Sequence, residues 1–431
     1  MLVCVAITLS YFDRQTLPWT LSKIQQDYPF SDQVKALFDS AFLLAYGVMY
    51  IGGGRLLDRL GTRRGFLIVI VFWSLASASQ GLAGNYGRPA VFGLEFALVM
   101  LLASRCLLGM GEGGGFPAAT RVVTEWFPVR ERSMAMGIIN AGTALGAVTA
   151  PWLILVVLNH VDWFGLAPWR WVFILSGVAG LAWTLWWVRD YHTPETHPRL
   201  GDAERAMILA SSAAVDDHET QSIPVSQLLA HPEVWAIIGA KFLSDAGWYF
   251  YMFWLPKFLI ETFQLKFNAA TSVGWIPYAA SGVGCLVGGG LSSWLLRNGF
   301  SVNRSRKLAL GISAAFMPWV LFVPVVDSMA LVIFIFSLAF FGQQSWSTLV
   351  MILPTDMIPR RAVGTVAGLV GFGGAMGGIV LGQIAGWLRD HNFSYTPVLL
   401  IAGSLHVLAF ILICIVVPRI QPLTFPRRQP K

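Results

Sequence analysis

Residues 91–117 read VFGLEFALVMLLASRCLLGMGEGGGFP, an apolar run broken near its centre by Arg105 and near its end by Glu112. A bilayer-spanning α-helix needs about 20 mostly apolar residues, and this run supplies them. It has none of the alternation of a transmembrane β-strand, so a helix is the span it can form. Arg105 and Glu112 stand seven residues apart, which puts them on one helix face, about 10 Å apart along the axis. The opening stretch, MLVCVAITLSYFDRQTLPWTL (1–21), holds Asp13 and Arg14 in an equally apolar setting. Each buried charge costs about 3 kcal/mol at a helix centre on insertion scales. Four of them predict a shared polar cavity or mutual pairing, and they mark the candidate site.

Outward from these runs the same pattern fills the chain. Of 431 residues 55% are apolar and 12% charged, against roughly 25% charged in a soluble domain. Mean hydropathy is +0.62. Twelve runs have spanning length, near residues 1–22, 36–57, 65–84, 91–116, 134–158, 170–189, 233–256, 271–296, 307–326, 329–350, 361–386 and 396–418. The expected fold is an all-α membrane protein of twelve transmembrane helices in two six-helix bundles. The net charge of +7 does not point to nucleic acid, because Lys and Arg gather in alternate loops: Arg59, Arg63 and Arg64; Arg130 and Arg132; Arg304, Arg306 and Lys307; Arg360 and Arg361; Arg427 and Arg428. That is a positive-inside pattern with both termini cytoplasmic. The opposite loops carry little more than Lys23, Lys35, Arg88, Arg170, Lys257, Lys266 and Arg389. Cys4, Cys106, Cys285 and Cys414 lie in apolar runs without metal or redox spacing. The first residues lack a basic n-region and run directly into Asp13-Arg14, so they do not read as a signal peptide; a short basic leader upstream is expected.

The polar stretch 190–231 divides the chain into a first bundle (1–189) and a second (232–418), followed by a basic cytoplasmic tail (419–431). Phe127-Pro128 followed by RERSMAMG recurs as Ile358-Pro359 followed by RRAVGTVAG, an offset of 358 − 127 = 231 residues. The same offset brings Gly142 onto Gly373 and Gly146 onto Gly377. Duplicated halves of this kind place a substrate site at their interface near the midplane. Glu112 falls on Gln343 and Arg105 on Phe336, so the first half keeps the charges while the second offers neutral polar and aromatic groups. Glycine-dense spans at 109–115, 140–151 and 364–386 allow close helix approach. Gly109, Gly111 and Gly114 formally spell G-x-G-x-x-G, but no strand precedes them, and no phosphate-binding G-x-x-x-x-G-K-[ST] occurs in the chain. The residues support neither enzyme activity nor a cofactor or metal.

After the second span the chain reads Gly54-Arg-Leu-Leu-Asp58-Arg59-Leu-Gly61-Thr-Arg63-Arg64. This resembles the loop signature of the major facilitator superfamily, and implies that Asp58 holds a cytoplasmic gate with the basic residues around it. Tyr11-Phe-Asp13-Arg14 and Arg105-x6-Glu112 resemble the first- and fourth-span motifs of the anion:cation symporter family. SWSTLVMILPTDMIPRRAVGTVAGLVGFGGAMGG (345–378) resembles its hexuronate branch. Those carriers often have His-Gln just before this segment, where this chain has Gln343-Gln344, which leaves the particular sugar acid open.

The resemblance implies that spans 1 and 4 line a central cavity. Arg14 is then expected to anchor a substrate carboxylate through its two-pronged donor geometry. Asp13 and Glu112 are expected to carry protons, with Arg105 alternating between them to couple proton to cargo. Tyr46, Asn140, Trp248, Tyr249, Gln343, Gln344 and Trp346 are the expected sugar contacts, and Asp245 near Lys241 reads as a local i, i+4 pair. The overall expectation is a monomeric inner-membrane importer of a hexuronate or related sugar acid, driven by protons, with the lipid bilayer as its surroundings. Alternatives are an organic-anion or drug exporter of the same fold and a non-transporting nutrient sensor.

Overall fold

The computed structural model describes residues 1–127, 131–208 and 223–424, apart from the side chains of residues 54–56, 58, 133, 360 and 361. Segments 209–222, in the expected central loop, and 425–431, in the expected tail, lie outside the described residues.

Among the described residues twelve long helices run where the twelve apolar stretches predict them. They are α1 (Leu2–Asp27), α2 (Asp32–Leu60), α3 (Thr62–Gln80), α4 (Phe96–Trp126), α5 (Arg132–His160), α6 (Pro168–Asp190), α7 (Pro232–Thr262), α8 (Phe267–Arg297), α9 (Val302–Val325), α10 (Met329–Met357), α11 (Arg360–Asp390) and α12 (Thr396–Val416). Helix α4 is interrupted at Gly113–Gly114 and α8 at Trp275, and α9 ends in a 3-10 segment. Among the described residues nine of these are long and apolar enough to cross a membrane on composition alone. The other three, α1, α3 and α7, carry charged residues within their length: Asp13 and Arg14, Arg63 and Arg64, Lys241 and Asp245.

Packing divides the helices into two bundles. Helix α1 lies against α5 and α6, α2 against α4, and α3 against α6; in the second half α7 lies against α11 and α12, and α8 against α10. The bundles meet along α2 with α11, α5 with α8 and α1 with α7. Within each bundle glycine sets a close approach at equivalent places. A Cβ on Gly146 of α5 would fall onto the Thr8 carbonyl of α1, and one on Gly377 of α11 onto the Phe242 carbonyl of α7.

At the face carrying residues 28–31 and 391–395 the two bundles are latched together. The Asp390 carboxylate at the end of α11 accepts from the backbone N–H groups of Asp32 (2.7 Å) and Gln33 (3.0 Å), the positive end of the α2 dipole. Lys257 pairs with Asp32 across the seam, with Arg389 3.8 Å from the same carboxylate; within the second bundle Glu261 braces both cations, at 3.3 Å from Lys257 and 3.0 Å from Arg389. Gln33 bonds Gln383 across the same seam.

Candidate functional site

The four charges singled out in the sequence are all buried, at 2% exposure or less, inside the first bundle. Their pairing differs from the expected one. Arg14 Nε donates to Glu112 Oε2 at 2.6 Å, and Ser10 Oγ donates to the same oxygen at 2.8 Å. The guanidinium lies 4.5 Å from the Tyr11 ring centroid and 4.6 Å from that of Tyr46, so two aromatic faces add cation–π attraction to the ion pair. Arg14 is thus bound to a carboxylate, not held free for cargo.

Among the described residues Arg105 is the buried cation without a hydrogen-bond partner. Its Nε, Nη1 and Nη2 meet no hydrogen-bond partner among the described residues, and its guanidinium sits 4.7 Å from the Phe42 centroid, the ring that Arg14 approaches at 5.5 Å. Asp13 hydrogen-bonds neither arginine among the described residues, though Arg105 is within its electrostatic reach: its Oδ1 accepts from Ser77 Oγ of α3 at 2.9 Å, and Ser77 is bonded to Ser176 of α6 at 2.8 Å. Adjacent residues on a helix diverge by about 100°, so Asp13 and Arg14 face different neighbours. The expected exchange of Arg105 between Asp13 and Glu112 therefore gives way to an Arg14–Glu112 pair with Arg105 left over.

A second pair escaped the sequence reading. Lys35, counted there as a loop charge, is buried inside α2, where Nζ meets Asp39 Oδ2 at 2.6 Å and lies 3.9 Å from the Trp254 ring centroid. The i, i+4 spacing of KALFD was the available signal. Asp39 Oδ1 has no partner among the described residues, and Asp39 is within electrostatic reach of Arg105.

In the second bundle, Lys241 and Asp245 of α7 form the anticipated local pair at 3.0 Å. Gln343 of α10 is buried against them and donates to Asp245 Oδ1 at 3.2 Å, with its amide oxygen facing His406 Nε2 of α12. His406 had no signal in the sequence, lying alone in an apolar run. Tyr249 is buried and stacks with Phe253 (centroids 5.8 Å apart), within electrostatic reach of Arg14 and Tyr46. Trp248 packs edge-on to Phe340 at 5.3 Å. Trp346 is not a wall residue: it is fully buried in the second bundle's interior, against His406 and among Leu349, Val350 and Leu353. Gln344 and Asn140 are half-buried, and each has its backbone carbonyl bonded to a threonine hydroxyl.

In the loop signature, Gly61 adopts φ 72° and ψ 160°, a backbone state open to glycine, and so lets α2 turn into α3. Arg63 donates to the Val188 carbonyl at 2.8 Å, while Arg59 and Arg64 are exposed. The side chains of Gly54 and Asp58 lie outside the described residues. The carboxylate hub on view at this end is Glu125 of α4, which takes Thr62, Arg121 (3.3 Å) and Tyr191 (3.1 Å). Its repeat equivalent (125 + 231 = 356) is Asp356, which takes Arg306 at 2.7 Å. No cluster of metal-binding side chains occurs among the described residues.

Two bundles with one plan, meeting along paired helices around buried charge, are the build of a multi-pass membrane transporter. Residues 3–382 match the sequence profile of the Major Facilitator Superfamily, and the chain belongs to that family. It is 27% identical over 416 residues to the hexuronate transporter of Escherichia coli K12, covering 96% of this chain and 91% of that one. It is 28% identical over 434 residues to the probable galactarate/D-glucarate transporter GarP of the same organism, covering 98% and 94%. The inward open form of the xylose transporter XylE from E. coli superposes with a TM-score of 0.74 over 97% of this chain and 95% of that one, at 14% identity, a likeness of fold.

Proposed function

We propose that this chain imports a hexuronate or related sugar acid across the bacterial inner membrane together with protons, by alternating access. Its relatives named above carry sugar acids. The observation that supports the reading most directly is Arg105, a fully buried guanidinium with five N–H donors and no acceptor among the described residues. A carboxylate is the ligand whose geometry and charge match it. Arg14, reaching the same Phe42 ring, is the second donor once Glu112 lets go.

Charge counting explains the proton. Setting aside Asp32 at the latched face, whose charge is met by Lys257, the buried interior among the described residues holds four cations, Arg14, Lys35, Arg105 and Lys241, and four carboxylates, Asp13, Asp39, Glu112 and Asp245. With all ionised the total is zero. A carboxylate cargo adds one negative charge to a low-dielectric space, and a proton on Glu112 restores neutrality while releasing Arg14. The loaded carrier then crosses without opposing the membrane potential, which acts with about 2.3 kcal/mol per charge per 100 mV. The positive-inside pattern orients the termini to the cytoplasm and the latched face to the periplasm, so the state described is closed to the outside.

The test is uptake of labelled glucuronate, galacturonate, galactonate and glucarate into proteoliposomes of the full chain, with and without an imposed proton gradient. Accumulation of at least one of these acids, dependent on the gradient and reversed by inverting it, is expected. Uptake of none, or gradient-independent uptake, overturns the reading.

A further inference from the structure

The second bundle holds a set of polar side chains that the single-carboxylate scheme leaves idle. Lys241, Asp245, Gln343 and His406 are exposed by 7% or less. Lys241 Nζ lies 3.0 Å from Asp245 Oδ1 and donates to Ser347 Oγ at 2.6 Å, while Gln343 donates to the same Asp245 oxygen at 3.2 Å. With the Gln343 nitrogen turned to Asp245, its oxygen accepts from His406 Nε2, leaving His406 Nδ1 without a partner among the described residues.

The internal repeat relates this set to the first bundle's site. Asp245 falls on Arg14 (245 − 14 = 231), Lys241 on Ser10 (241 − 10 = 231) and Gln343 on Glu112 (343 − 112 = 231). In the first bundle Arg14 and Ser10 both converge on the Glu112 carboxylate; in the second, Gln343 and Lys241 both converge on the Asp245 carboxylate. Each bundle thus places one cation and one neutral donor on one carboxylate at equivalent positions, with the carboxylate moved from the bundle's fourth helix to its first. The two sites also lie near one group of tyrosines. Asp245 and Arg14 are both within electrostatic reach of Tyr11, Tyr46, Tyr50 and Tyr249.

We propose that this set is a second anion site, in which Lys241 takes the far carboxylate of a six-carbon sugar diacid while Arg14 and Arg105 hold the near one. It rests on the sugar-acid reading above and narrows it. A diacid brings two negative charges; one proton goes to Glu112, freeing Arg14, and one to Asp245, freeing Lys241, and the buried charge returns to zero. A monoacid needs the Glu112 proton alone. The charged and titratable groups facing Asp245 are Lys241 on its own helix, His406 through Gln343, and the four tyrosines, so Lys241 is the cation that its protonation releases.

The experiment uses the full chain in proteoliposomes with glucuronate as the monoacid and glucarate and galactarate as diacids. The proton-to-substrate ratio, read from the pH gradient that nulls net flux, is expected to be one for glucuronate and two for a diacid. In competition against labelled glucuronate, Lys241→Gln is expected to weaken diacid inhibition about tenfold more than it weakens inhibition by unlabelled glucuronate, the weight of one charged hydrogen bond. Lys241→Arg should recover much of that difference. Equal proton ratios for the two acids, failure of both diacids to compete in the wild type, or an equal shift for both ligands overturns the second site while leaving sugar-acid import standing. If glucuronate is carried no better than the diacids and neither is carried at all, the functional reading falls too. Should Lys241→Gln not fold, the wild-type proton ratios decide.

Discussion

A guanidinium without a hydrogen-bond acceptor inside a membrane protein is an unstable thing to keep, and among the described residues Arg105 has none, with an aromatic ring beside it and the carboxylates of Asp39, Glu112 and Asp13 only within electrostatic reach. Removing it relieves a buried charge and removes the proposed donor to the cargo carboxylate. Arg105→Met is therefore expected to leave the protein as thermostable as wild type or more so, while raising the half-saturating sugar-acid concentration by about 30-fold or more, in line with the 2–5 kcal/mol lost on truncating one partner of a buried charged pair; thermal melting and uptake measure the two effects separately. Glu112→Gln keeps an acceptor for Arg14 but has no proton to exchange. Exchange of labelled for unlabelled substrate across the membrane should persist, while accumulation driven by a proton gradient should be lost. Which residue meets which was the hardest thing to read in the sequence. Arg105 and Glu112 share a helix face about 10 Å apart, and that local fact leads to the expectation that Arg105 alternates between Glu112 and Asp13. The actual partner of Glu112 lies 98 residues away on α1, a separation that helical spacing does not encode.

At the scale of the helix, legibility follows the strength of the local signal. Uninterrupted apolar runs gave all twelve helices near their observed positions, because nothing but a helix satisfies the backbone in lipid. The 231-residue offset was visible because glycines recur where helices touch. Its structural meaning is the backbone contact of α5 on α1 and of α11 on α7, where no side chain fits. Gly146→Val and Gly377→Val are each expected to lower stability by about 3 kcal/mol or more, since the obstruction is a backbone carbonyl and exceeds ordinary overpacking. Loss of monodisperse protein in detergent, with Gly364→Ala as the control at a position open to space, would report it. What the helix pattern concealed was polarity turned inward. Lys35 sits near the start of α2 and reads as a loop charge, yet its helix face points at Trp254 and Asp39.

For the molecule as a whole, the seam between bundles at the 28–31 face combines a helix-dipole contact with ion pairs, and opening that face requires parting all of them. Lys257→Met combined with Asp390→Asn should shift the population toward a form open on this side. With the four native cysteines replaced and Ser40→Cys introduced, which lies behind the seam against Gln383, labelling by a membrane-impermeant thiol reagent is expected to quicken about tenfold over the same cysteine in the intact latch. An unchanged rate would mean that the seam does not hold the face shut. The most exposed cation across that seam is Arg389, 24% exposed and 3.8 Å from Asp32 of α2, and dissolved ions weaken such a pair as the screening length contracts from about 10 Å at 0.1 M to 3 Å at 1 M. A cell moved from fresh water to brine would thus find its carriers standing open to the medium more of the time, with the salinity of the surroundings acting on uptake before any gene is switched.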